Sequence, residues 1–310
     1  MSGSTSKVIV GFITYGESTA KYLPYFLDSL KEQSYRDFTV LVADNSPEAN
    51  NPNQEILQKE SLARVIHSGQ NLGFARAYNI LIREAEKRGA DYFVAVNPDM
   101  LVESNALEEL VSTMEENKDL GSASPKIRRW DFANNRKTSV IDTCGIKLKK
   151  GLLFFDMGQG QEDQGQFDDR EILGPSGAAG IYRIPALTDV KEGENYFDEM
   201  MFMYKEDCDL AYRMRLTGYR SVCVGRSVFY HDRTASGEGE SNLKVALNRK
   251  KKSKQVKKWS FTNQQTIFIK YWNIQTLSHK LAILWYQIKA LGFILLFERY
   301  LLSEWWKVWK

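Results

Sequence analysis

Residues 92–99 read Tyr-Phe-Val-Ala-Val-Asn-Pro-Asp, and this stretch restricts the possible folds most tightly. An apolar run without polar alternation is the pattern of a strand covered on both faces, as in a parallel sheet under helices. Pro98 supplies no ladder N–H, so the strand stops there and Asp99 is delivered to the carboxyl edge of the sheet. Open α/β sheets place their ligands at that edge. A carboxylate there can hold a divalent cation against a diphosphate, or it can simply open the turn before a helix at Ser104.

The flanking sequence repeats the pattern. Residues 7–15 read as a buried strand ending at Gly16, 38–43 as a second closed by Asp44-Asn45-Ser46-Pro47, and 63–66 as a short third. Apolar positions at Tyr22, Phe26, Leu27 and Leu30 predict a helix over 22–33. A second helix over 73–88 stops at Gly89 in C-cap position, and a third with an acidic start covers 104–117. Alternating strand and helix predicts an α/β fold with a mostly parallel sheet and right-handed crossovers.

No GxGxxG fingerprint and no P-loop occurs in this half, which disfavours a common dinucleotide or ATP site. Carboxylates and amides sit instead where strands end: Asp44, Asn45, Asn97 and Asp99, with Tyr15 beside them. Asp44 can accept a hydrogen bond from a base N–H, or it can be turn chemistry alone; Tyr15 offers a ring face for stacking. Arg76 lies in the first turn of the Gly73-started helix, where the dipole disfavours a cation, so it is expected to face an anion such as a phosphate. Three cysteines (Cys144, Cys208, Cys223) form no CxxC pair, which fits a reducing cytosol and argues against a cysteine-built zinc site. The apolar run 8–13 is too short for a signal-peptide core, and no secretion signal is expected.

Farther on, residues 126–173 read as strands and mobile loops over a cleft mouth, 159–169 being rich in Gly, Gln and Asp. The small residues of 174–180 let backbone approach a ligand, or make a tight turn before a strand over 181–184. Phe202, Met203 and Tyr204 lead into Glu206-Asp207-Cys208-Asp209 and a helix ending at Gly218. Acids are favoured in a first helical turn whatever their function. At 100° per residue Glu206 and Asp209 share a face and Asp207 points elsewhere, so one acid can serve the cleft while another anchors the helix. Arg213 and Arg215 can pair with these acids or reach phosphate. His231 closes another short strand, either as a structural residue or as a ligand; His67 and His279 read as structural.

With these residues assembled, the chain resembles glycosyltransferase family 2, bacterial rhamnosyltransferase-like branch, from about residue 7 to 231. The matching pieces, in family order, are Thr14-Tyr15-Gly16, Asp44-Asn45-Ser46, Asn71-Leu72-Gly73-Phe74-Ala75, Asn97-Pro98-Asp99, Gly177-Ala178 and 202–210. The resemblance implies a GT-A fold with a Rossmann-like sheet, a nucleotide-sugar half over 1–125 and an acceptor and catalytic half over 126–243. It implies donor contacts from Thr14, Tyr15, Asp44, Asn45, Asn71, Gly73, Arg76, Asn97, Asp99, Gly177 and Ala178, with Asp44 reading a pyrimidine. It further implies Mg²⁺ or Mn²⁺ on Asp99 and His231, and Asp207 as catalytic base with Glu206 as rival. Asn97 replaces the first acid of the family's DxD, which removes one negative charge from the metal site.

The implied reaction is inverting sugar transfer, with L-rhamnose from dTDP-rhamnose favoured as donor and a polyprenyl-diphosphate-linked saccharide as acceptor, in cell-surface polysaccharide assembly. The alternatives are a UDP-hexose donor, or a catalytically silent sugar-nucleotide or membrane-binding protein, for which Asn97 is the best argument. The tail, 244–310, opens with a lysine- and arginine-rich stretch over 244–258 and continues as helices. Leu281, Leu284, Trp285, Ile288, Leu291 and Leu295 form one stripe, and no uninterrupted apolar stretch reaches the length of a membrane span. The tail reads either as a helix lying in an anionic bilayer surface or as one packed on the catalytic part. No nucleic-acid module accompanies the basic residues. A cytoplasmic protein held peripherally at the inner face of the cell membrane is expected.

Overall fold

A computed structural model describes residues 7–232 and 253–310. Four strands, β1 (Val8–Thr14), β2 (Phe38–Asp44), β3 (Ala63–His67) and β4 (Tyr92–Val96), pair in parallel in the order β3-β2-β1-β4. All carboxyl ends therefore lie on one edge. Beyond β4 the sheet continues through β11 (Ala179–Arg183), β6 (Leu120–Asp131), β12 (Arg220–His231) and β10 (Glu171–Ile172). Here β11 runs antiparallel to both neighbours, while β12 is parallel to β6. The short β5 (Met100–Val102) pairs antiparallel with β12, and β7 (Arg136–Thr143) pairs with β6. The predicted α/β sheet is observed, with antiparallel additions beyond β4.

Alternation along the buried strands divides the core in two. Val8, Val10, Phe12, Val40, Val42, Val94 and Val96 face α2 (Leu23–Lys31) and α5 (Ala106–Glu116). Ile9, Leu41 and Phe93 face α4 (Gly73–Lys87), α6 (Ile184–Val190) and α7 (Glu206–Leu216). Burying each large side chain contributes about 1.5–3 kcal/mol, so both faces must stay covered. The short helices α1 (Gly16–Ala20) and α3 (Pro52–Leu57) sit over the carboxyl edge of β1 and β2. A small hairpin, β8 (Ile146–Lys149) and β9 (Leu153–Asp156), stands outside the main sheet.

Segment 159–169 is irregular, as its composition predicts, but it is pinned rather than loose. Lys126, nearly fully buried, reaches Asp163 at 3.1 Å and Asp168 at 2.5 Å, and Arg128 holds Asp163 as well. A buried ammonium must be paired, and these aspartates supply the pairing.

The tail is not a separate appendage. Helices α8 (Lys254–Tyr271), α9 (Leu277–Phe297) and α10 (Leu301–Trp309) lie against the catalytic part. Ile267, Phe268, Tyr271 and Ile283 share one core cluster with Ile146, Leu152, Met201, Cys208 and Ala211. Of the two sequence readings of the tail, packing on the rest of the chain is observed for α8, while α9 exposes Leu281, Leu284, Trp285 and Ile288. The expectation about length is corrected, because α9 is one helix long and apolar enough to cross a membrane by length and composition. Lys280 and Lys289 interrupt the sequence without ending the helix. Most of the basic stretch 244–258 falls outside the described residues.

Candidate active site

Two carboxylates, Asp99 and Asp142, meet a histidine where β4 ends. Pairing of β5 with β12 sets Met100 opposite His231, and this brings the preceding Asp99 to the imidazole. His231 Nε2 lies 3.2 Å from Asp99 Oδ1, and Nδ1 lies 2.8 Å from Asp142 Oδ2. Burial disfavours the charged imidazole, but Asp99 and Asp142 outweigh it and raise its pKa to about 9. Asp99 Oδ1 is buried and, apart from this ion-pair contact, has no hydrogen-bond partner.

The donor set fits a divalent cation. One carboxylate oxygen and one imidazole converge, and a second carboxylate fixes the imidazole as metal-binding histidines require. Binding there requires His231 to give up its proton. Asn97 contributes no charge, and its backbone N–H donates to Ala178 O at 2.9 Å.

Asp207 stands on the other side of the same backbone segment. Its Oδ2 accepts from Gly177 N at 2.7 Å, and its Oδ1 accepts from Cys208 N at 2.7 Å. Adjacent residues 177 and 178 thus hold Asp207 and the 97–99 turn respectively. Tyr78 adds a second link. Burial raises its phenol, and the charges of Asp99 and Glu206 both push the same way. Glu206 is fully buried, its Oε2 has no partner, and burial with the nearby Asp207 charge raises its carboxyl well above 4.5.

Entry into α7 is strained. Tyr204 and Lys205 both adopt left-handed backbone, with φ of 74° and 75°. Each such residue costs about 1–3 kcal/mol, and it persists only where its surroundings hold it. Phe202 O accepts from Phe74 N at 2.8 Å, and a Cβ on Gly73, itself at φ 75°, would lie 2.5 Å from that carbonyl oxygen. Only glycine permits this approach. The Asn71–Ala75 and 202–210 motifs are therefore in direct contact.

At the ends of β1 and β2, Asp44 has no exposed surface. Its Oδ1 accepts from Thr14 Oγ1 (3.0 Å) and Ser46 Oγ (2.7 Å). Its Oδ2 accepts from Asn51 Nδ2 and Gln54 Nε2, both at 2.9 Å, and His67 Nδ1 lies at 3.2 Å. Burial raises its pKa, but the bonds from Asn51, Gln54 and Ser46 prevail and lower it. With these bonds made, Asp44 organises the loop around it. His67 belongs to this network rather than to the core. Asn45 Nδ2 donates to Gly73 O at 3.1 Å and leaves Oδ1 buried without a partner, while Tyr15 exposes its ring as expected. Asn71 Oδ1 accepts from Gly73 N at 3.0 Å.

The arginines go elsewhere. Arg76 pairs with Glu199 at 3.2 Å and is mostly exposed, so its expected anion is a carboxylate of the chain. Arg213 pairs with Asp209 at 2.9 Å, and Arg215 pairs with Glu171. Among the described residues, Glu192, Asp198 and Asp209 lie close enough to hold a metal. Lys270 Nζ already sits among them, at 2.6, 3.3 and 3.0 Å, and its ammonium neutralises the group. Sequence reading missed Asp142, Asn51 and Gln54; Ser176, inside the 174–180 stretch, keeps a buried hydroxyl without a hydrogen-bond partner. An isolated Asp in β7 carries no local signal.

This sheet, with acids gathered at its carboxyl edge, is the GT-A architecture of glycosyltransferases. Solved structures share it. S. aureus TarS 1-349 in complex with UDP-GlcNAc aligns with TM-score 0.53 and 19% identity over 76% of this chain and 60% of that one. GalNAc-T7 with UDP, GalNAc and Mn²⁺ aligns with TM-score 0.56 and 13% identity, over 73% of this chain and 43% of that one. The model of the family "Glycosyl transferase family 2" matches residues 9–190, and the chain belongs to that family. It is a glycosyltransferase. Over 253 residues it is 26% identical to the N-acetylglucosaminyl-diphospho-decaprenol L-rhamnosyltransferase of Mycobacterium tuberculosis H37Rv, covering 77% of this chain and 80% of the relative.

Proposed function

We propose that this enzyme transfers a sugar, L-rhamnose from dTDP-rhamnose, with inversion onto a polyprenyl-diphosphate-linked saccharide in cell-surface polysaccharide assembly. The observation that carries the reading is the pair of bonds across residues 177–178. Gly177 N holds Asp207 and Ala178 O holds the turn bearing Asp99, which supports reading the two acids as parts of one site. The mycobacterial relative's activity supports the choice of sugar and of a lipid-linked acceptor.

In this reading Asp207 removes the proton from the acceptor hydroxyl as that oxygen attacks the anomeric carbon and the nucleoside diphosphate leaves. Each oxygen of Asp207 donates one lone pair to a backbone N–H and keeps another for the incoming proton. Glu206 is buried, whereas Asp207 keeps part of its surface exposed to an incoming hydroxyl, so the role falls to Asp207. Asp99 and His231 would hold Mg²⁺ or Mn²⁺, which when bound supplies positive charge against the leaving diphosphate. Asp142 keeps the imidazole oriented. Residues 7–125 form the donor half, with Tyr15 under the base and the Asp44 network shaping its loop.

A second donor reading has one observation in its favour. With Asp44 saturated, nothing in that carboxylate selects thymine over uracil, so a UDP-sugar is the alternative donor. Initial rates across dTDP-, UDP- and GDP-sugars, with Mg²⁺ or Mn²⁺ and after chelation, test the reading. Transfer from dTDP-rhamnose that chelation abolishes is expected. Turnover of UDP-sugars alone would replace the donor, and no transfer from any donor would remove the catalytic reading.

The same proposal holds the enzyme peripherally at the inner face of the membrane. At 100° per residue Leu277, Leu281, Leu284, Trp285, Ile288, Leu291 and Leu295 fall within about 120° of arc on α9. Lys280 and Lys289 flank this exposed stripe, as on a helix lying in an anionic interface. Ile283 and Ile294, on the opposite side, are buried against the protein, which favours lying along the bilayer over crossing it.

A further inference from the structure

The loop leading into the catalytic helix is held not by its own half of the protein but by α8. Asn263, almost fully buried, donates from one amide nitrogen to two successive carbonyls, Met203 O at 3.0 Å and Tyr204 O at 2.7 Å. These are the carbonyls beside the two left-handed residues, Tyr204 and Lys205, that turn the chain into α7. One turn earlier on α8, Trp259 stacks on Phe202, with ring centroids 4.8 Å apart and planes 27° from parallel. Farther along, Tyr271 Oη donates to Asp209 Oδ1 at 2.7 Å and Lys270 reaches the same oxygen at 3.0 Å. Helix α8 thus grips α7 both just before and just after Asp207.

We infer that Asn263 is a positioning residue for sugar transfer, acting through the 203–205 turn on the aim of Asp207. The inference rests on Asp207 as the base. Gly177 N and Cys208 N bind its carboxylate directly, and Asn263 fixes the turn that leads into the backbone from which it projects. Removing the amide donor leaves two buried carbonyls without it and lets Tyr204 and Lys205 leave the left-handed region. The donor-binding residues at β1, β2 and β4 do not depend on this contact. The loss should therefore fall on kcat and spare the donor KM. Lysine at 205 pays for a backbone that glycine adopts freely, so a glycine there should hold the turn without Asn263.

The test uses the full-length chain and three variants. Asn263→Ala removes the amide, and Asn263→Asp keeps its size while turning the donor into an acceptor. The third combines Asn263→Ala with Lys205→Gly. Both single variants should lower kcat at least tenfold with donor KM within twofold of wild type, and the added glycine should restore at least threefold. A purely structural role would lower the melting temperature and would gain nothing from a further glycine. Unchanged kcat in both single variants, or no rescue, overturns the inference. Hydrogen exchange supplies a readout independent of activity. Amides of 203–209 should exchange faster in Asn263→Asp while those of β1 and β4 keep their protection. Unaltered exchange at 203–209 would overturn the inference even if the donor proved to be a different nucleotide sugar. A wild-type chain inactive with every donor, beside accelerated exchange in the variant, would count against the proposed function and leave the coupling of α8 to the loop standing.

Discussion

At the scale of single residues, Asp207 and Glu206 separate by environment. Asp207 keeps two backbone N–H donors and part of its surface exposed, whereas Glu206 lies in the interior with one oxygen unpartnered. Asp207→Asn keeps its shape and loses its basicity, so kcat should fall by about 10²–10⁴-fold with donor affinity unchanged. Steady-state rates and calorimetric donor binding check this, and full turnover would move the base elsewhere. Glu206 makes a prediction in pH. Its folded pKa lies above the ordinary 4.5, so between that value and the folded pKa the native chain binds a proton that the unfolded chain releases. Stability contributed by the neutral carboxyl is complete at low pH and is lost as pH rises through the window. Glu206→Gln cannot ionise, so its melting temperature should gain on wild type between pH 5 and pH 8. A gap that stays constant or closes would contradict the assignment. At the metal site, Asp142→Asn should weaken Mn²⁺ binding by about 10–100-fold in a direct titration, through the imidazole it no longer orients.

At the scale of elements, legibility followed local chemistry. Pro98 ended a strand, Gly89 ended a helix and Gly73 opened one, because proline and glycine act on their own backbone wherever they occur. The contact between His231 and Asp142 spans 89 positions and leaves no trace in either neighbourhood. Asp44 was recognised at its strand end, yet its saturation was not, because Asn51 and Gln54 belong to α3, a short helix hidden in a segment that reads as polar loop. On α9 the stripe was visible but its direction was not. Globular helices turn their apolar side inward, whereas this one buries Ile283 and Ile294 and shows solvent the more continuous apolar face. Replacing Leu284 and Ile288 together by Glu should abolish sedimentation with anionic vesicles while leaving the melting temperature within about a degree or two of wild type. Persistent sedimentation would mean that α9 is not the contact.

At the scale of the whole molecule, the catalytic part and the tail are one folding unit. Removing residues 253–310 would uncover Met201, Cys208 and Ala211 and strip Asp209 of two partners. That truncation should give an aggregated or loosely packed chain rather than a detached enzyme, as gel filtration and near-UV circular dichroism will show. A monodisperse, cooperatively melting fragment would refute it. The arrangement also bears on synthesis. Elongation is directional, and the face of α7 that α8 covers waits for Tyr271, which lies 62 residues beyond Asp209. Until α8 has been made, the nascent polypeptide has its parallel strands but lacks the hydrogen bonds that Asn263 and Tyr271 give to the turn before α7 and to Asp209.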